Sequence, residues 1–139
     1  MKKSFTKQIG VVGVDSGQLL VCDPCYIGGE WKETDDSKDL SHADNKGQFS
    51  YGGCCEATLN NKTQGGQLNY TMGHAGAGVV FSSGFGDGCY PVIAHYKDYG
   101  HEGHPDMRIR KIEITMIHDE KEVVMFDKLL KESKKNPVC

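Results

Sequence analysis

Glycine is so frequent in the first 103 residues of this chain that the sequence argues against a helical bundle. There are 18 glycines in 139 residues, nearly twice the usual share of about 7%. They have no period of three, so a collagen-like helix is excluded, and their excess argues for many tight turns. Val11-Val12-Gly13-Val14 stops at Asp15-Ser16-Gly17, and Gln18-Leu19-Leu20-Val21-Cys22 stops at Asp23-Pro24. Two apolar runs around a three-residue break with a glycine predict a β-hairpin.

The same punctuation continues. Strands are predicted over Gln48 to Thr58, with Phe49 and Tyr51 two apart, then Gly66 to Met72, Gly78 to Ser82 and Cys89 to Tyr96. Pro91 places the last of these at an edge, a strand start or a bulge. Arg108 to Ile117 alternates, with Ile112, Ile114 and Met116 opposite Lys111, Glu113 and Thr115. It is predicted to pair with the preceding strand around a polar tip, Tyr99 to Asp106. From Asp119 the period changes: Glu122 three residues on suggests a cap, and Val123, Phe126, Leu129 and Leu130 recur at helical spacing. Gly28 to Gly47 is polar, with Trp31 and Leu40 as anchors, and is longer than a passive connection needs. The expected architecture is mainly β, an antiparallel β-sandwich or open barrel with one C-terminal α-helix, in a single domain over residues 1–139.

Charge limits the partners. Sixteen Lys and Arg against nineteen Asp and Glu give a net of −3, whereas duplex-binding domains present a basic face. The basic stretch Lys128 to Lys135 reads as a solvated helix end. No segment has the roughly 20 apolar residues of a membrane helix, and the start lacks the apolar stretch of a secretory signal. The expected location is therefore cytoplasmic, with six reduced cysteines and with neither duplex nucleic acid nor membrane as partner.

The block Val14-Asp15-Ser16-Gly17-Gln18-Leu19-Leu20-Val21-Cys22-Asp23-Pro24-Cys25-Tyr26, together with Ser83-Gly84-Phe85-Gly86-Asp87-Gly88-Cys89-Tyr90-Pro91-Val92, resembles a family of small uncharacterised bacterial and phage domains. Those carry "DSG … DPCY" and "SGxGDGxYPV" blocks. The resemblance implies a small β domain of intracellular or phage origin with no assigned activity, and it supplies no catalytic residue. It does not reach the Gly28 to Gly47 loop or the terminal helix.

Several constellations carry chemistry in principle. Cys22-Asp23-Pro24-Cys25 has redox spacing, but that chemistry needs the first cysteine at a helix N-terminus, and Gly28-Gly29 follows closely. Zinc could use the same pair with one of Cys54 and Cys55, with Cys89, or with the half-site His101-Glu102-Gly103-His104. The plainer reading is that free cysteines pack as small hydrophobes, and no cofactor is expected. Cys89 and His95 fall on one strand face roughly 20 Å apart, so a cysteine hydrolase would need its histidine from elsewhere, such as His74 or His42.

The two turn blocks are the preferred site. Asp23 and Asp87 each stand three residues before a tyrosine, at strand-turn junctions where carboxylates form Asx-turns. The functional expectation is one cleft holding Asp23, Tyr26, Trp31, Gly84, Gly86, Asp87, Gly88 and Tyr90, with glycine amides as anion donors and aromatic walls. Such a cleft suits a small polar ligand, nucleotide-derived in one version, sequestered without catalysis in the way of a phage protein that holds a defence signal. The alternatives are a hydrolase using acidic residues or a metal, and a protein-interaction module. Assembly as a homo-oligomer is left open.

Overall fold

A computed structural model describes residues 3–34 and 39–119. The backbone divides into two compact units, one formed by residues 1–14 and 88–139, the other by Asp15–Asp87. Among the described residues the class is mainly β, with two antiparallel three-stranded sheets, neither closed into a barrel, and one α-helix.

In the first unit β1 (Ser4–Val14) runs antiparallel to β5 (Gly88–Asp98), from Ser4 opposite Lys97 to Val14 opposite Gly88. β6 (Met107–Glu113) pairs with the other side of β5. The β5–β6 hairpin is the one expected around the Tyr99 tip. β1 is not the first arm of a hairpin with the next strand, as Asp15-Ser16-Gly17 had suggested. Its partner is β5, an 11-residue strand that matches the 11 residues of β1, where the next strand has only 5. Phe5 stacks on its register partner Tyr96, centroids 4.5 Å apart and planes 14° from parallel. On the other face Thr6 Oγ1 lies 3.2 Å from His95 Nδ1, and Glu113 Oε1 lies 2.7 Å from His95 Nε2. The neighbouring Gln8 is 3% exposed, and among the described residues neither polar atom of its side chain has a hydrogen-bond partner.

The second unit builds a sheet in the order β2-β4-β3 from β2 (Gln18–Cys22), β3 (Gly65–Asn69) and β4 (Ala75–Ser82). Helix α1 (Tyr51–Leu59) packs against β3 and β4. Gln48 to Thr58 was expected as a strand, and here the structure corrects the sequence reading. Ser50 caps the helix, its Oγ accepting from Gly53 N at 2.9 Å. Gly53 is required because a Cβ there would lie 1.7 Å from the Gln48 carbonyl oxygen. The spacing of Phe49 and Tyr51 is not strand alternation: Phe49 precedes the helix at 1% exposure, and Tyr51 opens its outer side at 41%.

The core of this unit is Phe49, Cys54, Ala57, Leu68, Ala77 and Val80, flanked by Leu20, Cys22, Tyr26, Trp31 and Tyr70. Burying each large side chain stabilises by about 1.5–3 kcal/mol, so Phe49, Leu68 and Val80 anchor the helix on the sheet. The C-terminal helix expected from Asp119 onward lies outside the described residues.

Candidate functional site

The Asp23-Pro24-Cys25-Tyr26 segment folds as a 3-10 turn, Pro24–Tyr26, capped by Asp23. Proline presets the first position, and Asp23 Oδ1 accepts from Cys25 N at 3.0 Å. That bond, with one from the Cys25 side chain, holds the Asp23 carboxyl below its ordinary range. The same carboxylate pushes the Cys25 thiol up, the opposite of what a redox nucleophile needs.

Beyond the turn, the Tyr26 carbonyl accepts from Gly29, Glu30 and Trp31 amides at 3.3, 2.9 and 3.1 Å. This folds Trp31 back onto the core, edge-on to Phe49 at 5.0 Å. Tyr26 meets Tyr70 edge-on at 5.0 Å, and the Tyr70 hydroxyl donates to the Tyr26 hydroxyl at 2.9 Å. Tyr26 is pushed up to about 12, first by that hydrogen bond and then by repulsion from Tyr70. Tyr70 also stacks on His74, centroids 4.5 Å apart.

Glu30 Oε2 accepts from Thr71 N at 2.7 Å. The Thr71 amide holds Glu30 below its ordinary range, with smaller help from His74 and Lys32. These groups border a pocket of about 260 Å³ whose wall includes Glu30, Lys32, Lys46, Asn69, Tyr70 and Thr71. A larger groove of about 610 Å³ adjoins it, sharing Asp44 and Gln48 and lined also by Glu33, Asp39 and His42. Its Asp39 is held low, first by the Ser41 hydroxyl and then by the Ser41 amide. The site thus offers two ammonium groups and the Tyr70 side chain beside carboxylates kept ionised.

The chain matches the family described as protein of unknown function (DUF4241) over residues 6–102. It belongs to that family. Neither a curated protein nor a solved structure matches it. The DUF4241 span contains the whole pocket and both turn blocks, and ends before β6.

Within it, the expected site residues separate. Asp23, Tyr26 and Trp31 come together at the Cys22 end of β2. Gly84, Gly86 and Asp87 stand at the Gln18 end, where Gln18 pairs with Ser82 and Ser83 N donates to the Gly17 carbonyl. The two ends of β2 are roughly 14 Å apart at about 3.4 Å per residue, so the two blocks stand at opposite ends of that strand. Gly88 and Tyr90 open β5 in the other unit. Asp23 is spent on its own turn, whereas Asp87 makes no side-chain hydrogen bond among the described residues.

Lys32, Lys46, Tyr70 and His74 were not singled out as ligand-site residues. The usable signal was the excess length of the Gly28 to Gly47 loop, which supplies both lysines. Cys89 is disulfide-bonded, so the expectation of six free thiols is corrected and a Cys89 nucleophile has no thiol to use. Cys22, Cys25, Cys54 and Cys55 are free. Burial pushes the Cys54 thiol up to about 12, with lesser contributions from Cys55 and Cys22. Among the described residues no three His, Cys, Asp or Glu side chains are grouped to hold a metal. No described helix is long and apolar enough to cross a membrane.

Proposed function

We propose that the protein is a non-catalytic binding protein for a small polar ligand, an anion with a planar group of the nucleotide kind, seated in the Tyr70 pocket. One observation carries this reading: Lys32 and Lys46 line the same pocket as the Tyr70 ring. Two ammonium groups serve an anionic group, and an aromatic face serves a base. The 260 Å³ pocket suits the anionic part, and the adjoining 610 Å³ groove has room for the remainder. A binder rather than a catalyst is favoured because Glu30 and Asp39 are held low. A general acid needs its carboxyl raised toward neutrality. Resemblance of the two turn blocks to phage domains makes a sequestered nucleotide-derived signal the biological form of this ligand.

The test is calorimetric titration with inorganic phosphate, mononucleotides and cyclic dinucleotides, with the recovered ligand checked by mass. Binding by one nucleotide class, lost about 10- to 150-fold in Lys32→Ala and Lys46→Ala at unchanged melting temperature, supports the reading; a charge-assisted bond is worth about 1.5–3 kcal/mol. Ligand recovered cleaved would instead make the protein a hydrolase. No binding to any of the panel would remove the nucleotide reading and leave an interaction module.

A further inference from the structure

The tip of the β5–β6 hairpin carries a second constellation, independent of the pocket. His101 N donates to the His104 carbonyl at 3.2 Å, and His104 N donates to the His101 carbonyl at 2.8 Å. Residues that exchange both bonds across an antiparallel pair put their side chains on one face. The imidazole centroids are accordingly 4.9 Å apart with planes tilted by 42°. Glu102 and Gly103 make the reversal, and Gly103 has φ +79°, a value that favours glycine.

The base of the tip is fixed as firmly. Asp98 Oδ1 accepts from Gly100 N at 2.8 Å and from Asp106 N at 2.9 Å. Gly100 approaches so closely that a Cβ there would lie 2.0 Å from the His104 carbonyl oxygen. Both histidines are exposed, and among the described residues neither imidazole makes a hydrogen bond or ion pair, only the ring contact with the other.

Neutral imidazole is the common protein ligand for zinc, copper and nickel. With metal–nitrogen bonds of about 2.0–2.1 Å, a ring centre lies roughly 3.2 Å from the ion. At that radius, centroids 4.9 Å apart subtend about 100° at the metal, between the square or octahedral angle and the tetrahedral one. We infer that His101 and His104 form a two-imidazole chelate for a divalent first-row transition cation. Water completes the coordination, leaving positions for a donor from another molecule. Copper binds tightest, with nickel and zinc behind it.

Calorimetric titration of the whole protein with Ni²⁺, and separately with Zn²⁺, tests this. The expected result is one ion per chain, with affinity reduced at least about tenfold in His101→Ala and in His104→Ala alike, since each removes the intramolecular advantage of the second ligand. Cys25→Ser should leave the affinity unchanged, and metal-free melting temperatures should match across all variants. Equal affinity in wild type and either histidine variant overturns the chelate, as does absence of Ni²⁺ binding below millimolar concentration. Loss of binding in Cys25→Ser would place the ion at the thiol and overturn it too.

Discussion

The Tyr70 hydroxyl donates to the Tyr26 hydroxyl at 2.9 Å across a sequence separation of 44 residues. This one bond ties the capped turn after β2 to the end of β3, and so closes the aromatic side of the pocket. The Tyr26 hydroxyl, raised to about 12, is neutral in ordinary buffers, so the bond works as a strut rather than as a charge.

Its removal should be visible at alkaline pH. Tyr26 is raised from 10.0 to about 12 in the fold. A raised value means that the stabilisation is complete below pH 10 and is lost as pH rises toward 12. Thermal melting across that window should fall more steeply in wild type than in Tyr26→Phe. Ultraviolet titration should show one late tyrosine that shifts back toward 10 in Tyr70→Phe. Parallel melting curves for the two proteins would mean that the hydroxyl pair does not form.

Helix α1 makes a sharper demand. At Gly53 a Cβ would meet the Gln48 carbonyl oxygen at 1.7 Å, whereas at Gly10 nothing lies within 4 Å. The obstacle at Gly53 is backbone and cannot swing aside. Gly53→Ala should therefore cost about 2–4 kcal/mol in denaturant unfolding, and Gly10→Ala under about 1 kcal/mol. Similar midpoints for the two variants would contradict the close approach of the helix to the Gln48 carbonyl.

The same helix shows why part of the fold was hidden in the sequence. Gly52, Gly53 and two cysteines are weak helix formers, so the local pattern from Gln48 to Thr58 read as a strand. The β5–β6 hairpin was readable because its strands adjoin in sequence and Lys111, Ile112 and Glu113 alternate. The β1–β5 pairing was not, since Val14 and Gly88 are joined by nothing that local periodicity records. At the site, Tyr26 and Trp31 stood out in a motif and a polar loop. Tyr70 sits in a stretch whose apolar pattern predicts strand alone, and its partnership with Tyr26 exists only once β2 and β3 flank β4.

Gln8 offers a test of the first unit. Gln8 is 3% exposed, both polar atoms of its side chain are unpartnered among the described residues, and a buried unsatisfied polar group costs about 1–3 kcal/mol. Methionine has a similar length and no such debt. Gln8→Met should raise stability by about 1 kcal/mol in urea unfolding. A drop of that size would show that the amide has a partner in solution, such as an ordered water.

The cysteines should separate by reactivity, because their surroundings differ in kind. Cys25 is exposed, but the Asp23 carboxylate beside it raises its thiol. Cys54 is buried and raised to about 12 by that burial, and Cys89 has no thiol while its disulfide stands. The thiolate is the reactive form, so iodoacetamide at neutral pH should label Cys25 first, and more slowly than it labels free cysteine. Cys54 should stay unlabelled until denaturant opens α1 from the sheet, and Cys89 until a reductant is added. Peptide mapping by mass spectrometry reads all three. Asp23→Asn removes the carboxylate that disfavours the thiolate, so it should speed labelling at Cys25 while leaving Cys54 protected. Labelling of Cys54 as fast as Cys25 in native protein would mean that α1 does not cover it, and an unchanged Cys25 rate in Asp23→Asn would mean that the carboxylate does not face the thiol.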